Sequence, residues 1–302
     1  PVLSWSAPMM MKKYIGRMPR GVGIKAAILA VNGAIFSNGK LIKGYTGQAL
    51  EQIEKILIRK NYDIFLTGNA SFPDNWTQLT NPCRAEENKI IISLGEKDVK
   101  MFTEKFLSNK KELYRCGNFN RIWSLLTAGL FGHLGRRILG KFYVADERCT
   151  GCEICARSCP AGTITMHRKM PQWSTTCEDC NRCINICPEQ AIQVSVPLLI
   201  IQSILNLGLT IGAIWAIIFY LPRLTDLSLL PLISIEIILI VAATVFLLWI
   251  TAVPIDALFR LLMRIPVARR FFGISYTQKY RRYTAPGFKP LVGIRSGIRH
   301  SA

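Results

Sequence analysis

The sequence predicts a multi-domain chain. Its parts are an incomplete α/β domain, a small cysteine-rich α+β segment and two apolar helices crossing a membrane as a hairpin. Three observations carry this. Apolar runs alternate with amphipathic stretches between Lys25 and Tyr114. Eight of the ten cysteines fall in two matching runs between Cys149 and Cys187. Charge nearly vanishes from residue 197 to 253, where one basic and two acidic side chains occur. The boundaries drawn on this basis are 1–118 for the α/β part, 119–141 for a connector and 142–194 for the cysteine-rich segment. Then come 195–253 for the helices, spanning about 196–222 and 227–253, and 254–302 for a basic tail.

In the first part, Lys25 to Ala34 (KAAILAVNGA) is an apolar run meeting Asn32-Gly33, the pattern of a buried strand followed by a turn. Gly47 to Lys60 places Leu50, Ile53, Ile56 and Leu57 at helical spacing, and Ile64 to Leu66 makes a short strand. Lys97 to Tyr114 predicts a second helix with Val99, Phe102, Phe106 and Leu107 as its stripe. Strand–helix alternation implies a parallel sheet with crossovers. Two strands are too few for a stable sheet, so more are expected upstream of Pro1 or from another chain. The connector's apolar stretch, Ile122 to Phe131, is shorter than the ~20 residues a bilayer crossing takes, and is expected to pack under the cysteine-rich segment rather than lie in the membrane interface.

The two runs are Cys149-x2-Cys152-x2-Cys155-x3-Cys159-Pro160 and Cys177-x2-Cys180-x2-Cys183-x3-Cys187-Pro188, with Ile164 and Ile192 at the same offset beyond. In a chain without a visible secretory signal, such spacing means metal ligation and a reducing compartment. A four-iron cubane takes three thiolates from one tight loop and a fourth from elsewhere. Zinc would use paired spacings with a longer gap, and leaves the third Cys-x2 step and the Cys-Pro unexplained. Cys83 and Cys116 have no partner at ligand spacing and are expected to be ordinary packing residues, and His167 a surface residue.

Residues 142–194 resemble a bacterial-type two-[4Fe-4S] ferredoxin. In such ferredoxins the last cysteine of each run serves the other cluster. The resemblance therefore implies Cys149, Cys152, Cys155 and Cys187 for cluster 1, and Cys177, Cys180, Cys183 and Cys159 for cluster 2. PVLSWSAP, the strand ending in NGA, GYTGQAL and FPDNW resemble the later half of a flavodoxin-like domain. The combination is similar to the flavodoxin–ferredoxin fusion proteins of anaerobic bacteria and archaea. That resemblance implies loops Leu3 to Ala7 and Val31 to Gly39 beside an isoalloxazine, with Trp5 as the FMN-stacking residue. The family's phosphate-binding loop would lie upstream of Pro1, so FMN binding is expected only with that half present.

Val196 to Pro222 carries no charge, and Leu227 to Val253 carries only Glu236. Both are long enough to span. Trp215, Tyr220 and Trp249 suit the interface. An ionisable group within a span is a functional candidate. Lacking a Lys or His partner in the spans, Glu236 is expected instead to be protonated or bonded to Ser234, Asn206 or Gln202. Residues 254–302 hold ten basic side chains against one acidic, and the positive-inside rule puts them and the cysteine-rich segment in the cytoplasm. A basic tail after an apolar segment is expected to meet anionic lipid rather than nucleic acid. The expected function is a membrane-anchored electron carrier with no catalytic residue of its own. Its expected partners are a redox protein or flavoprotein, membrane lipid and a quinone. The alternatives are a flavin-dependent oxidoreductase fed by the clusters and a non-redox interaction protein using the tail.

Overall fold

A computed structural model describes residues 2, 5–130, 135–224, 229–263 and 265–289. Leu3, Asp226, Arg264 and the last part of the tail lie outside the described residues, as do the side chains of Trp249 and Arg260. The chain forms two compact units. One gathers Pro1–Lys141, Arg148–Ile192 and Thr277–Ala302, and the other Phe142–Glu147 and Gln193–Tyr276. This grouping cuts across the boundaries drawn on the sequence, because the α/β part and the cysteine-rich segment share one body.

The first unit opens with helix α1 (Met9–Arg17), then β1 (Ile24–Ser37), β2 (Lys40–Lys43), α2 (Ala49–Arg59), β3 (Tyr62–Pro73), α3 (Ala85–Leu107) and β4 (Glu112–Leu113). The sheet order is β2-β1-β3-β4, with β1–β3 and β3–β4 parallel and β2 antiparallel. Two short strands absent from the sequence expectation thus bring the sheet to four. Helix α2 forms as its spacing predicts and buries Ile53 and Leu57 with Ala7, Ile15 and Ile64. Each such aliphatic side chain contributes about 1.5–3 kcal/mol when fully buried.

Two expectations are corrected here. The turn falls at Asn38-Gly39, with φ of 50° and 73°, and not at Asn32-Gly33, which continues the strand. Asn-Gly favours the left-handed turn of a two-residue hairpin, but Asn32 is buried and its Oδ1 accepts the Ser71 hydroxyl at 3.1 Å. The span Val31 to Gly39 is therefore mostly strand, not loop. Helix α3 starts at Ala85, well before Lys97, because Glu87 reaches back to close its first turn: the Arg84 N–H donates to Glu87 Oε2 at 2.8 Å. It ends before Asn109, a left-handed residue with φ 53°, leaving Leu107 exposed. A Cβ on Gly95 would lie 2.5 Å from the Ser71 carbonyl, so glycine there lets α3 pass close over β3.

The connector forms α4 (Asn118–Leu130) and α5 (Arg136–Leu139). Its C-terminal end bonds the α/β part: the Leu139 carbonyl accepts Gln78 Nε2 at 2.9 Å. Its first turns instead expose Phe119 and Ile122. Next come β5 (Tyr143–Ala145), α6 (Ile154–Arg157), β6 (Ile164–His167), β7 (Met170–Trp173), α7 (Arg182–Ile186) and β8 (Ile192–Val194). Strands β6 and β7 form an antiparallel ribbon, and β5 pairs with β8.

In the second unit, α8 (Val196–Leu224) packs along α9 (Leu229–Leu262), and α10 (Pro266–Phe272) follows. Gln202, Asn206 and Thr251 are buried between them: Gln202 Nε2 donates to Thr251 Oγ1 at 3.0 Å, and Thr251 Oγ1 donates to Asn206 Oδ1 at 3.0 Å. Two of the three residues expected to satisfy Glu236, Gln202 and Asn206, are thus engaged with Thr251. Val196–Arg223 is long and apolar enough to cross a membrane by length and composition, with mean hydropathy 2.0. The apolar stretch found in α9, Ile233–Leu247, is shorter. Residues 254–289 are not a loose tail: α9 runs to Leu262, and Thr277 is fully buried.

Candidate metal centre

The two cysteine runs fold alike, residue for residue. Gly151 and Glu153 flank Cys152 with φ of 72° and 63°, and Asp179 and Asn181 flank Cys180 with φ of 51° and 56°. Left-handed residues on either side of the middle cysteine bend the backbone into a concavity instead of letting it continue as helix, a shape suited to an anionic centre. Short helices α6 and α7 then carry Cys155 and Cys183. Beyond each fourth cysteine the copies match again. The Thr163 N–H donates to Cys159 Sγ at 3.5 Å, and the Ala191 N–H to Cys187 Sγ at 3.3 Å. Asp179 N–H donates to Cys177 Sγ at 3.5 Å.

The sulfurs gather across the runs. Cys187 comes against Cys155, together with Cys149 and Cys152, and these four bound one small pocket. Cys159 comes against Cys177 and Cys180, with Cys183 beside them. Burial pushes the Cys155 thiol up to about 12 and Cys180 to about 11, and also raises Cys177 and Cys183. Thiols so placed are protonated at neutral pH, so a metal must displace their protons to bind. Among the described residues no three His, Cys, Asp or Glu side chains converge on a point where one ion would sit. Zinc needs such convergence, with sulfurs ~2.3 Å from one centre. A cubane does not, since each thiolate holds its own iron at a separate corner. Each set groups thiols of both runs, the kind of donor set a four-iron cluster takes. Cys152 is exposed, whereas Cys177 and Cys183 are buried.

The second set is held by the α/β part. Trp76 Nε1–H donates to Asp179 Oδ2 at 3.3 Å, and the Gln78 N–H to Asn181 Oδ1 at 2.9 Å. Asn185 donates to the Asn75 carbonyl at 2.9 Å and accepts the Thr77 hydroxyl at 2.8 Å. Glu178 takes the Met9 N–H at 3.0 Å and a buried ion pair from Arg136. Sequence reasoning missed Glu178, Asn181 and Asn185. A signal existed, because the second run carries Glu-Asp and Asn where the first has Thr-Gly and Glu.

Trp5, with φ 58°, stacks on Tyr45 at 5.7 Å and 18°. Both line a cavity of about 840 Å³ whose walls include Asn32, Gly33, Asp179 and Cys180. Of the expected Val31 to Gly39 flank, only Val31, Asn32 and Gly33 reach it. Cys83 is a packing residue beside Ala34 and Ile91, its sulfur taking the Phe36 N–H at 3.3 Å, and Cys116 is also buried. His167 ends strand β6.

A repeated loop of this shape, with its sulfurs grouped across the repeat, defines an iron–sulfur domain of the ferredoxin type. Residues 148–192 match the family of 4Fe-4S dicluster domains. No curated protein and no solved structure matches the chain.

Proposed function

We propose that this chain is a membrane-anchored electron-transfer protein that relays low-potential electrons through two [4Fe-4S] clusters. Cluster 1 would rest on Cys149, Cys152, Cys155 and Cys187, and cluster 2 on Cys177, Cys180, Cys183 and Cys159. The observation that carries this reading is the grouping of each fourth cysteine with the opposite run, inside one compact body. Bound there, the clusters supply one-electron redox chemistry with no bond made or broken in a substrate. The protein's part is to hold the sulfurs, donate N–H groups to them and keep water from the second set. The apolar helices α8 and α9 would form the membrane hairpin. The aromatic group Trp215, Phe219 and Tyr220 beside Arg223 suits one interface. Both chain ends would then face the cytoplasm, with a redox protein or flavoprotein, lipid and a quinone as partners.

Anaerobically purified full chain should hold about eight iron per polypeptide, as two four-iron clusters require. Cys159→Ser should alter the same EPR component as Cys180→Ser, and Cys187→Ser the same one as Cys152→Ser. Zinc without iron would overturn the reading, and pairing of Cys159 with the Cys152 component would overturn the crossed assignment.

One observation favours a second reading, a flavin-dependent oxidoreductase. The cavity lies within the ~300–1,000 Å³ range of small-molecule sites and reaches from the Trp5–Tyr45 stack to Cys180. Those residues fit a flat aromatic ring held beside cluster 2. This reading departs from the expectation that FMN needs the phosphate loop upstream of Pro1, since the ring alone would carry binding. FMN titrated into the full chain should lose fluorescence, and Trp5→Ala should weaken that binding; no quenching at any concentration would remove this reading.

A further inference from the structure

The basic segment after α10 does something other than face lipid. Three anchors fix it to the first unit. The Arg281 N–H donates to Asn81 Oδ1 at 2.9 Å, and its Nε–H to the Pro82 carbonyl at 2.7 Å. The Arg282 guanidinium reaches the Ile192 carbonyl at 3.4 Å. The Tyr283 N–H donates to Asn185 Oδ1 at 2.9 Å, the same oxygen that takes the Thr77 hydroxyl. Past these anchors the Arg182 guanidinium lies 4.9 Å from the Phe288 ring centroid. Tyr283, Thr284, Ala285 and Phe288 all line the 840 Å³ cavity.

We propose that Thr277–Phe288 is a strap that closes the cavity, forming a wall of the ligand site and shielding the cluster held by the second cysteine run. The anchors give two of the tail's charges a structural use. Arg281 donates its Nε–H to the Pro82 carbonyl, and Arg282 ties the Thr277 and Tyr280 carbonyls of the strap to the Ile192 carbonyl of the body, while Arg182 of α7 meets the strap's Phe288 ring. A basic tail serving only lipid would leave those groups to the solvent. The wall Tyr283–Phe288 lies across the same space as Asp179 and Cys180, so lifting it opens a water path to that sulfur. The ligand half of this proposal rests on the flavin reading; the shielding half does not.

The test uses the iron-loaded full chain in detergent and three variants: truncation after Lys289, truncation after Tyr283, and Phe288→Ala, with retained iron content showing that each has folded. Two properties are read: FMN affinity by fluorescence, and the rate at which ferricyanide bleaches the visible absorbance. Truncation after Lys289 should match the parent. The other two should bind FMN about tenfold more weakly, about 1.4 kcal/mol, and one bleaching phase should quicken. A quickened phase with no FMN binding to any form would keep the strap and remove the flavin reading. Weaker FMN binding with unchanged bleaching would overturn the shielding role. Unchanged affinity and unchanged bleaching would overturn the strap altogether.

Discussion

A methyl group on Gly140 would sit 2.6 Å from the Cys177 Cβ and 2.8 Å from its sulfur. Nothing flexible can yield there, since Cys177 is buried and its sulfur is fixed by the Asp179 N–H. Gly140→Ala should therefore act on one cluster only. Overpacking of this kind costs about 1–3 kcal/mol, and the expected result is loss of about half the iron with the EPR component of the Cys152 set retained. Iron analysis and EPR of the same sample check it. The eight cysteines were legible in the sequence because their spacing is local and repeated. Asn185 was not, because its partners Thr77, Asn75 and Tyr283 stand 108, 110 and 98 positions away. Its one local side-chain bond, to the Asn181 carbonyl at 3.0 Å, gives no hint of the three distant ones.

At the scale of elements, periodicity found α2 and the apolar helices but misplaced boundaries that depend on tertiary bonds. The chain holds two Asn-Gly pairs within seven residues of each other, and turn chemistry alone cannot rank them. What ranks them is that Asn32 is buried on Ser71, while Asn38 lies at the solvent-facing end of β1. The start of α3 likewise rests on Arg84 and Glu87, outside the apolar stripe that marked the helix. In the helical pair, α8 and α9 are bridged by Gln202, Asn206 and Thr251, and Thr251 serves both partners. Buried bonds between apolar helices are worth about 0.6 kcal/mol on average and up to about 1.7. Thr251→Val keeps the shape and deletes both, so it should lower the unfolding free energy of the pair in detergent by about 1–3 kcal/mol. The iron absorbance should not change, because the three residues belong to the second unit.

The first unit as a whole joins segments far apart in the chain through the second cysteine set. The 75–78 loop bonds Asn181 and Asn185, α1 begins on Glu178, and the strap bonds Asn185. Buried polar groups with partners on three segments make opening any one segment costly, since each leaves donors or acceptors unpaired at about 1–3 kcal/mol apiece. The shape of the cysteine loop that carries these partners depends on sulfurs held at fixed places. Iron binding and the docking of distant segments should then be linked, because a ligand that binds only the folded loop stabilises everything bonded to it. Hydrogen exchange on the full chain, with and without anaerobic iron removal, reads this directly. Protection should fall on loss of iron at residues 75–78 and 281–285 as well as at 177–187. It should stay unchanged in the middle of α8 and at Ile53 and Leu57 of α2, whose burial belongs to the aliphatic core. Loss of protection confined to the cysteine loops would mean that the α/β part and the strap hold their places without the clusters, and the unit is then two bodies in contact rather than one.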